Sequence, residues 1–353
     1  MRLEARQSVS KAGLFIAPII AVIATMIVCA LLVAAIGGPV MDTFWQLILG
    51  GFGSRFAFTE TLTRATPFIL TGLAVATAFR ARLYNIGAEG QLYMGALAAI
   101  GVGGLHGGSG WDLSPTILFP AMLVAAACAG GLMLLVPAWL KGRFAVDEVV
   151  TTLLLNFIAL LFVSMMLDGV MKDPSAMGWP QSVALNPELE LTRLLDPTRL
   201  HSGLLIAIFL ALIMWAVNRY TKVGFMMRNT GHNPTAAKFL GLPINRIALG
   251  TAMLSGAFAG LAGAIEVAGR AGYVTLDMSP GYGYSGVVVA MLAALNPIGV
   301  VISSIFIAGV LVGADSMSRA INVPSYIADV IVATALITML VATVFTRYRL
   351  KRH

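Results

Sequence analysis

The sequence predicts an all-α, polytopic membrane bundle of about ten helices, some of them broken, and three observations carry that reading. Of 353 residues, 58% are hydrophobic and only 11% charged, with a mean hydropathy of +0.88. Soluble domains carry roughly a quarter charged residues. The apolar residues come in long blocks, most approaching the roughly 20 residues that cross a hydrocarbon core. The basic residues are also biased. With ten spans drawn, seven of the 23 Lys and Arg (Arg55, Arg64, Lys172, Arg193, Arg199, Arg270, Arg319) fall on one side, and the rest share the side of the N-terminus. That bias obeys the positive-inside rule and sets both termini in the cytoplasm. The net charge of +7 is therefore a topology signal and not a nucleic-acid surface.

The first predicted span covers 14–36, after a tail of residues 1–13 carrying Arg2, Arg6 and Lys11. Its apolar stretch exceeds the 7–15 residues of a cleaved signal core, so it reads as a retained helix. Spans follow at 62–80 and 86–105, with Phe79–Gln91 interrupting them. There Asn85, Glu89 and Gln91 stand with two glycines where a helix begins. Irregular backbone at membrane depth survives only buried in protein or lining water, and broken helices mark substrate sites in transporters. The simpler reading is that Asn85 caps the third span and Glu89 complements its dipole. The fourth span is 115–138 and the fifth 148–168. Asp147-Glu148 opens the fifth, and Asn156 is a buried amide two turns in, a candidate for pocket lining. An outer loop, 169–201, carries Trp179-Pro180 and Asn186-Pro187, and the sixth span is 203–218.

The basic island 219–246 then predicts one short, bounded helix over Thr235–Leu240. Asn233 can cap it and Pro234 suits its first position. Gly241 can end it left-handed and Pro243 forbids its continuation. A helix that short is marginal alone. It is either an ordinary surface helix or a docking element for a separate cytoplasmic partner. The remaining spans are 247–268, two short ones at 284–296 and 298–314, and 325–345, before a basic tail of 346–353. Gly256/Gly260 and Gly309/Gly313 would let helix backbones approach closely. Tyr282 and Tyr284, flanked by glycines, are interface residues or a stacking surface for a planar ligand. Residues 14–345 thus form a single transmembrane domain.

Several chemistries are excluded. No Gly-Lys dipeptide occurs, so there is no phosphate-cradling loop; the four histidines form no H-E-x-x-H, and there is no G-x-S-x-G. No catalytic residue, resident cofactor or metal is expected, and ATP hydrolysis would belong to another chain. Cys29 and Cys128 lie in apolar spans and suggest neither a disulfide framework nor zinc. An ion-driven carrier would show ionisable residues within its spans. Here Glu266 and Asp329 sit near span ends and read as interfacial, leaving Glu89.

Taken together, these segments resemble the permease subunits of bacterial ABC importers for branched-chain amino acids, simple sugars and nucleosides, closest to the nucleoside branch. The family's Asn-Ile-Gly-Ala-Glu-Gly-Gln motif stands intact at Asn85–Gln91. Its Asn-Glu-Val-Ile-x-Thr-x-x-Leu-Asn-Tyr-Ile-Ala stretch appears as Asp147–Ala159, and its Gly-x-Asn-Pro-x-Ala-Ala-x-x-x-Gly pattern matches Gly231, Asn233, Pro234, Ala236, Ala237 and Gly241. Its Gly-Phe-Pro-Gln-Ser segment looks like Gly178–Ser182. One departure is Tyr284-Ser285-Gly286, where the family commonly has Tyr-Asp-Gly.

The resemblance implies a permease of the bacterial inner membrane that takes up nucleosides, or a related sugar-bearing solute, by alternating access. It implies a cytoplasmic ABC ATPase that binds ATP and Mg, a second similar permease forming a heterodimer, and a periplasmic or lipid-anchored substrate-binding protein. Asn85, Glu89, Gln91, Asn156, Tyr282 and Tyr284 would lie along the substrate path. Arg228, Gly231, Asn233, Pro234, Thr235, Lys238 and Gly241 would meet the ATPase, with Arg228 and Lys238 facing its acidic groups. The rivals are a permease for a free monosaccharide and an ion-coupled carrier.

Overall fold

The computed structural model describes residues 2–5, 11–35, 37–104, 114–321 and 348–351, with isolated positions between 326 and 341. The predicted last span, Asp329, His106 and His353 lie wholly or mostly outside the described residues. Within them the chain forms twelve bounded α-helices: α1 (Lys11–Ala35), α2 (Val40–Phe52), α3 (Arg55–Arg80), α4 (Ala88–Gly103), α5 (Pro115–Phe144), α6 (Glu148–Asp168), α7 (Gly203–Tyr220), α8 (Lys222–His232), α9 (Pro234–Phe239), α10 (Ile244–Glu266), α11 (Tyr282–Leu292) and α12 (Pro297–Ile321). Six of these are long and apolar enough to cross a membrane, and α1 and α11 supply shorter apolar stretches. A short antiparallel pairing of β1 (Arg2–Ala5) with β2 (Tyr348–Lys351) brings the two ends of the chain together.

Local chemistry explains the main boundaries. Ser54 caps α3 by accepting from the Ala57 N–H, and Asp147 caps α6 by accepting from the Val149 N–H. Pro115 occupies the first turn of α5, where its missing N–H is no loss. The predicted ninth span is corrected from a short element to α12, a continuous 25-residue helix. Helix α2 was not expected at all. Its 13 residues are too few to span, and they pack along the last turns of α12, with Gly309 under the Phe52 ring and Gly313 against the Leu47 carbonyl.

At the centre α3 is buried along nearly its whole length, and α10, α11, α12 and α7 pack around it. The glycines of α10 let backbones touch. A Cβ at Gly256 would lie 2.2 Å from the Gly130 carbonyl oxygen of α5, and one at Gly260 would lie 2.1 Å from that of Ala126. Small residues at such crossings are what helix association in lipid requires. By contrast α6 and α7 expose apolar stripes such as Leu154, Phe157, Ile158, Leu161, Leu205 and Phe209.

The two faces of the bundle differ. One, the basic face, carries Arg80, Lys141, α8 and α9. The other is crossed by 169–202, which is pinned over helix ends by backbone bonds: Asn186 N–H to Gly103 O, Leu185 N–H to Gly272 O, and Leu191 N–H to Ala268 O.

Candidate functional site

The polar residues of the α3–α4 junction form one buried network. Helix α3 ends at Arg80, Arg82 turns the chain with φ 55°, and α4 restarts at Ala88, leaving a non-helical stretch across the bundle. Its buried backbone groups need hydrogen-bond partners. Three residues of α6 spaced four apart, Glu148, Thr152 and Asn156, lie on one stripe and supply them. Glu148 accepts from the Tyr84 N–H at 3.3 Å and Thr152 Oγ1 from the Ile86 N–H at 3.3 Å. Asn156 donates to Ile86 O at 2.9 Å and accepts from the Gly90 N–H at 2.9 Å.

Asn85 is 0% exposed and uses its whole hydrogen-bonding capacity. It donates to Gln91 Oε1 (2.9 Å) and Ser255 Oγ (3.1 Å), and accepts from Gln91 Nε2 (2.9 Å) and the Gly87 N–H (2.9 Å). Ser255 passes its own proton to Ala74 O at 2.7 Å, tying α10 to α3. Glu89, 3% exposed, begins α4 and accepts from the Gly283 N–H of α11 at 2.6 Å. That carboxylate therefore sits at the positive ends of two helices. The expected cap is corrected: Gly87, not Asn85, is the N-cap of α4, and no side chain caps it. The helix is broken, and its polar side chains hold the break together.

The two tyrosines separate. Tyr282 is buried, its ring edge-on to Phe68 at 4.9 Å. Tyr284 is 39% exposed, and its hydroxyl accepts from Asn156 at 3.3 Å, so it carries the network to the surface. Sequence reasoning missed Ser255, Thr152 and Gly283. The four-residue repeat of Glu148, Thr152 and Asn156 was the available signal for a polar stripe on α6.

On the basic face, α9 is bounded as the sequence predicts: Asn233 accepts from the Ala236 N–H at 3.1 Å, Pro234 is the first residue, and Gly241 turns with φ 74°. Arg228, Asn233, Pro234, Thr235, Lys238 and Gly241 are all exposed, and Phe239 and Leu240 project with 89% and 70% of their surface free. Gly231 is buried instead. A Cβ there would lie 2.0 Å from the Arg80 carbonyl oxygen, so α8 rests directly on the end of α3. Nearby, Arg80 donates to Leu295 O at 2.8 Å, and Lys141 binds both the Glu148 carboxylate and Arg82 O.

On the opposite face, Glu266 is the last residue of α10, near a span end as expected, but it is buried. It is 1% exposed and ion-paired to Arg270 across a π-helical turn, Val267–Ala271. His201 is wedged against Gly203 and Gly269, and its Nδ1 accepts from the Gly203 N–H at 3.2 Å. Burial, assisted by Arg270, lowers its pKa to about 4. In the loop, the Ser175 hydroxyl and N–H and the Gln181 amide hold the Asp173 carboxyl below its usual range. Two cavities open on this face, of about 580 and 380 Å³, and neither is lined by Asn85, Glu89, Gln91 or Asn156. Among the described residues no three His, Cys, Asp or Glu side chains converge to hold a metal.

Residues 57–347 match the family described as branched-chain amino acid transport system/permease component. The chain is 37% identical to the guanosine ABC transporter permease protein NupP of Bacillus subtilis, over 90% of each chain. It is 32% identical to a glucose ABC transporter permease protein of Haloferax volcanii, over 99% of this chain and 93% of that one. A second guanosine permease protein of Bacillus subtilis, NupQ, is 27% identical over 70% of this chain and 77% of its own length.

Proposed function

The chain belongs to the family of permease components of branched-chain amino acid transport systems, and on that premise we propose that it is the membrane subunit of an ATP-driven importer of nucleosides. The observation that carries the mechanism is the capped helix α9 with α8 seated on the end of α3. In this reading the basic face is cytoplasmic, both termini lie there, and about ten spans cross a bacterial inner membrane. An ABC ATPase holding ATP and Mg docks on α9, with Phe239 and Leu240 entering its groove and Arg228 and Lys238 meeting its acids. This chain then needs no catalytic residue of its own.

A second, similar permease completes the path. Support comes from the two guanosine permease proteins of one organism, both of which this chain resembles. A substrate-binding protein delivers solute to the face crossed by 169–202. The ATPase can bias the bundle only by preferring one of its two states. Motion entering at Gly231 reaches Arg80 and hence the α3–α4 break. Asn85, Glu89, Gln91 and Asn156 serve as the frame beside the path, and Tyr284 is the member that reaches solute.

One observation favours a free monosaccharide instead, the 32% identity to a glucose permease. A thermal-shift screen of the binding protein against nucleosides and sugars separates the two. The ATPase partnership is tested by the double variant Asn233→Leu, Pro234→Gly in reconstituted vesicles. ATP-driven nucleoside uptake should fall while solute capture by the binding protein is unchanged. Full uptake by the variant, or by the wild-type chain with a proton gradient and no ATPase, sinks the reading.

A further inference from the structure

The larger cavity, about 580 Å³, has a size typical of ligand sites and lies between α2, α3 and α12 at the face proposed to be outside. Its floor is ionic. Arg64 pairs with Glu60 at 3.4 Å and with Asp315 at 2.7 Å, which uses one oxygen of each carboxylate. Two further cations, Arg199 and Arg319, line the cavity, and neither forms an ion pair among the described residues. The cavity therefore offers open carboxylate oxygens and unpaired guanidinium groups side by side.

Its lip is apolar. Leu49 and Phe56 line it and are 38% and 63% exposed. The adjoining α2 exposes Met41, Trp45, Ile48, Leu49 and Phe52 at helical spacing, an apolar stripe on an element too short to span. With its other side packed on α12 and Asp42 its one charge, α2 turns this stripe toward lipid. A charged floor beside an acyl-facing helix fits a ligand with a charged head and an apolar tail.

We propose that this cavity holds one phospholipid with an amine-bearing zwitterionic headgroup. The ammonium donates to the free oxygens of Glu60 and Asp315, and the phosphate meets Arg199 and Arg319, whose planar forks suit phosphate oxygens. The tail lies along Leu49 and the α2 stripe. Arg64 neutralises only one of the two carboxylates it bridges, and a headgroup ammonium meets the other. A choline headgroup has no N–H to give them.

The test uses the full chain in nanodiscs of phosphatidylcholine doped with a photoreactive phosphatidylethanolamine or phosphatidylglycerol, with the labelled peptides mapped. Phosphatidylethanolamine should label 46–64 and 312–319 in preference to phosphatidylglycerol. Arg199→Gln with Arg319→Gln, at the rim and outside the ion pairs, should lower that labelling about tenfold or more, as charge-assisted bonds to phosphate imply. Equal or stronger labelling by phosphatidylglycerol overturns the proposal, as does unchanged labelling of the double variant. Competition by soluble glycerophosphoethanolamine as effective as that of unlabelled lipid overturns the lipid source. Since unlabelled phosphatidylethanolamine competes on the wild-type chain, a poorly folding variant leaves the test intact. None of these readouts depends on transport.

Discussion

Asn85→Leu is the sharpest probe of whether the buried network is architecture or solute contact. The substitution keeps the branched outline, adds some bulk, and removes four hydrogen bonds, two donated and two accepted. Side-chain hydrogen bonds in membrane proteins average about 0.6 kcal/mol and reach about 1.7, so four amount to about 2.4 kcal/mol at the average. The Gln91 amide and the Gly87 N–H are also left buried without partners, at about 1–3 kcal/mol per orphaned group where nothing relaxes. We expect a destabilisation from about 2.4 kcal/mol, if the orphaned groups relax, to about 4 kcal/mol or more if they do not, roughly two to three decades in the unfolding equilibrium. Steric-trapping or denaturant unfolding of the solute-free chain in bicelles measures it. Because Gln91 and Asn85 pair reciprocally, Asn85→Leu with Gln91→Leu should lose less than the sum of the two single variants. A solute contact would behave differently. Stability near wild type, with uptake weakened only through apparent affinity, would refute the architectural role.

Three further outcomes are expected. Gly231→Ala places a methyl 2.0 Å from the Arg80 carbonyl oxygen, backbone against backbone, so α8 must lift off α3. Overpacking of this kind destabilises by about 1–3 kcal/mol, and ATP-driven uptake should fall while the ATPase still co-purifies; normal uptake would remove Gly231 from the transmission path. Gly283→Ala puts a Cβ 2.1 Å from the Glu89 backbone nitrogen and should abolish monodisperse protein in size-exclusion chromatography. Gly286→Ala, which meets the Thr71 side chain at 2.9 Å, should be milder, and the reverse order would refute the packing argument. The third concerns pH. Folded His201 titrates at about 4, against about 6.5 when unfolded. Between those values the unfolded chain binds the extra proton, so stability declines as pH falls through about 6.5 and levels off below about 4, by at most about 3 kcal/mol. His201→Gln should flatten that part of the thermal-stability profile.

Much of the architecture was legible because lipid imposes simple rules. The α6 boundaries, 148–168, follow from acid caps and an unbroken apolar run. Asn233, Pro234 and Gly241 announce α9 through backbone chemistry alone. The α3–α4 break was visible as polar residues among glycines, but its partners were not, since Ser255 lies 170 residues from Asn85. Glu266 misled for a related reason. Position near a span end suggests the interface, whereas Arg270 one turn later makes burial tolerable. Helix α2 escaped notice because its 13 residues, Asp42, Thr43 and Gln46 among them, are too few to span and fill no 20-residue apolar window.

Where α10 crosses α5 at Gly130, Gly256 and Gly260, backbone touches backbone, so that part of the crossing has no soft layer in which to slide. Helix α6 meets the α3–α4 break quite otherwise, through the polar side chains of Glu148, Thr152 and Asn156. Were the bundle to part during transport, the seam along those three residues would yield before the crossing of α10 and α5.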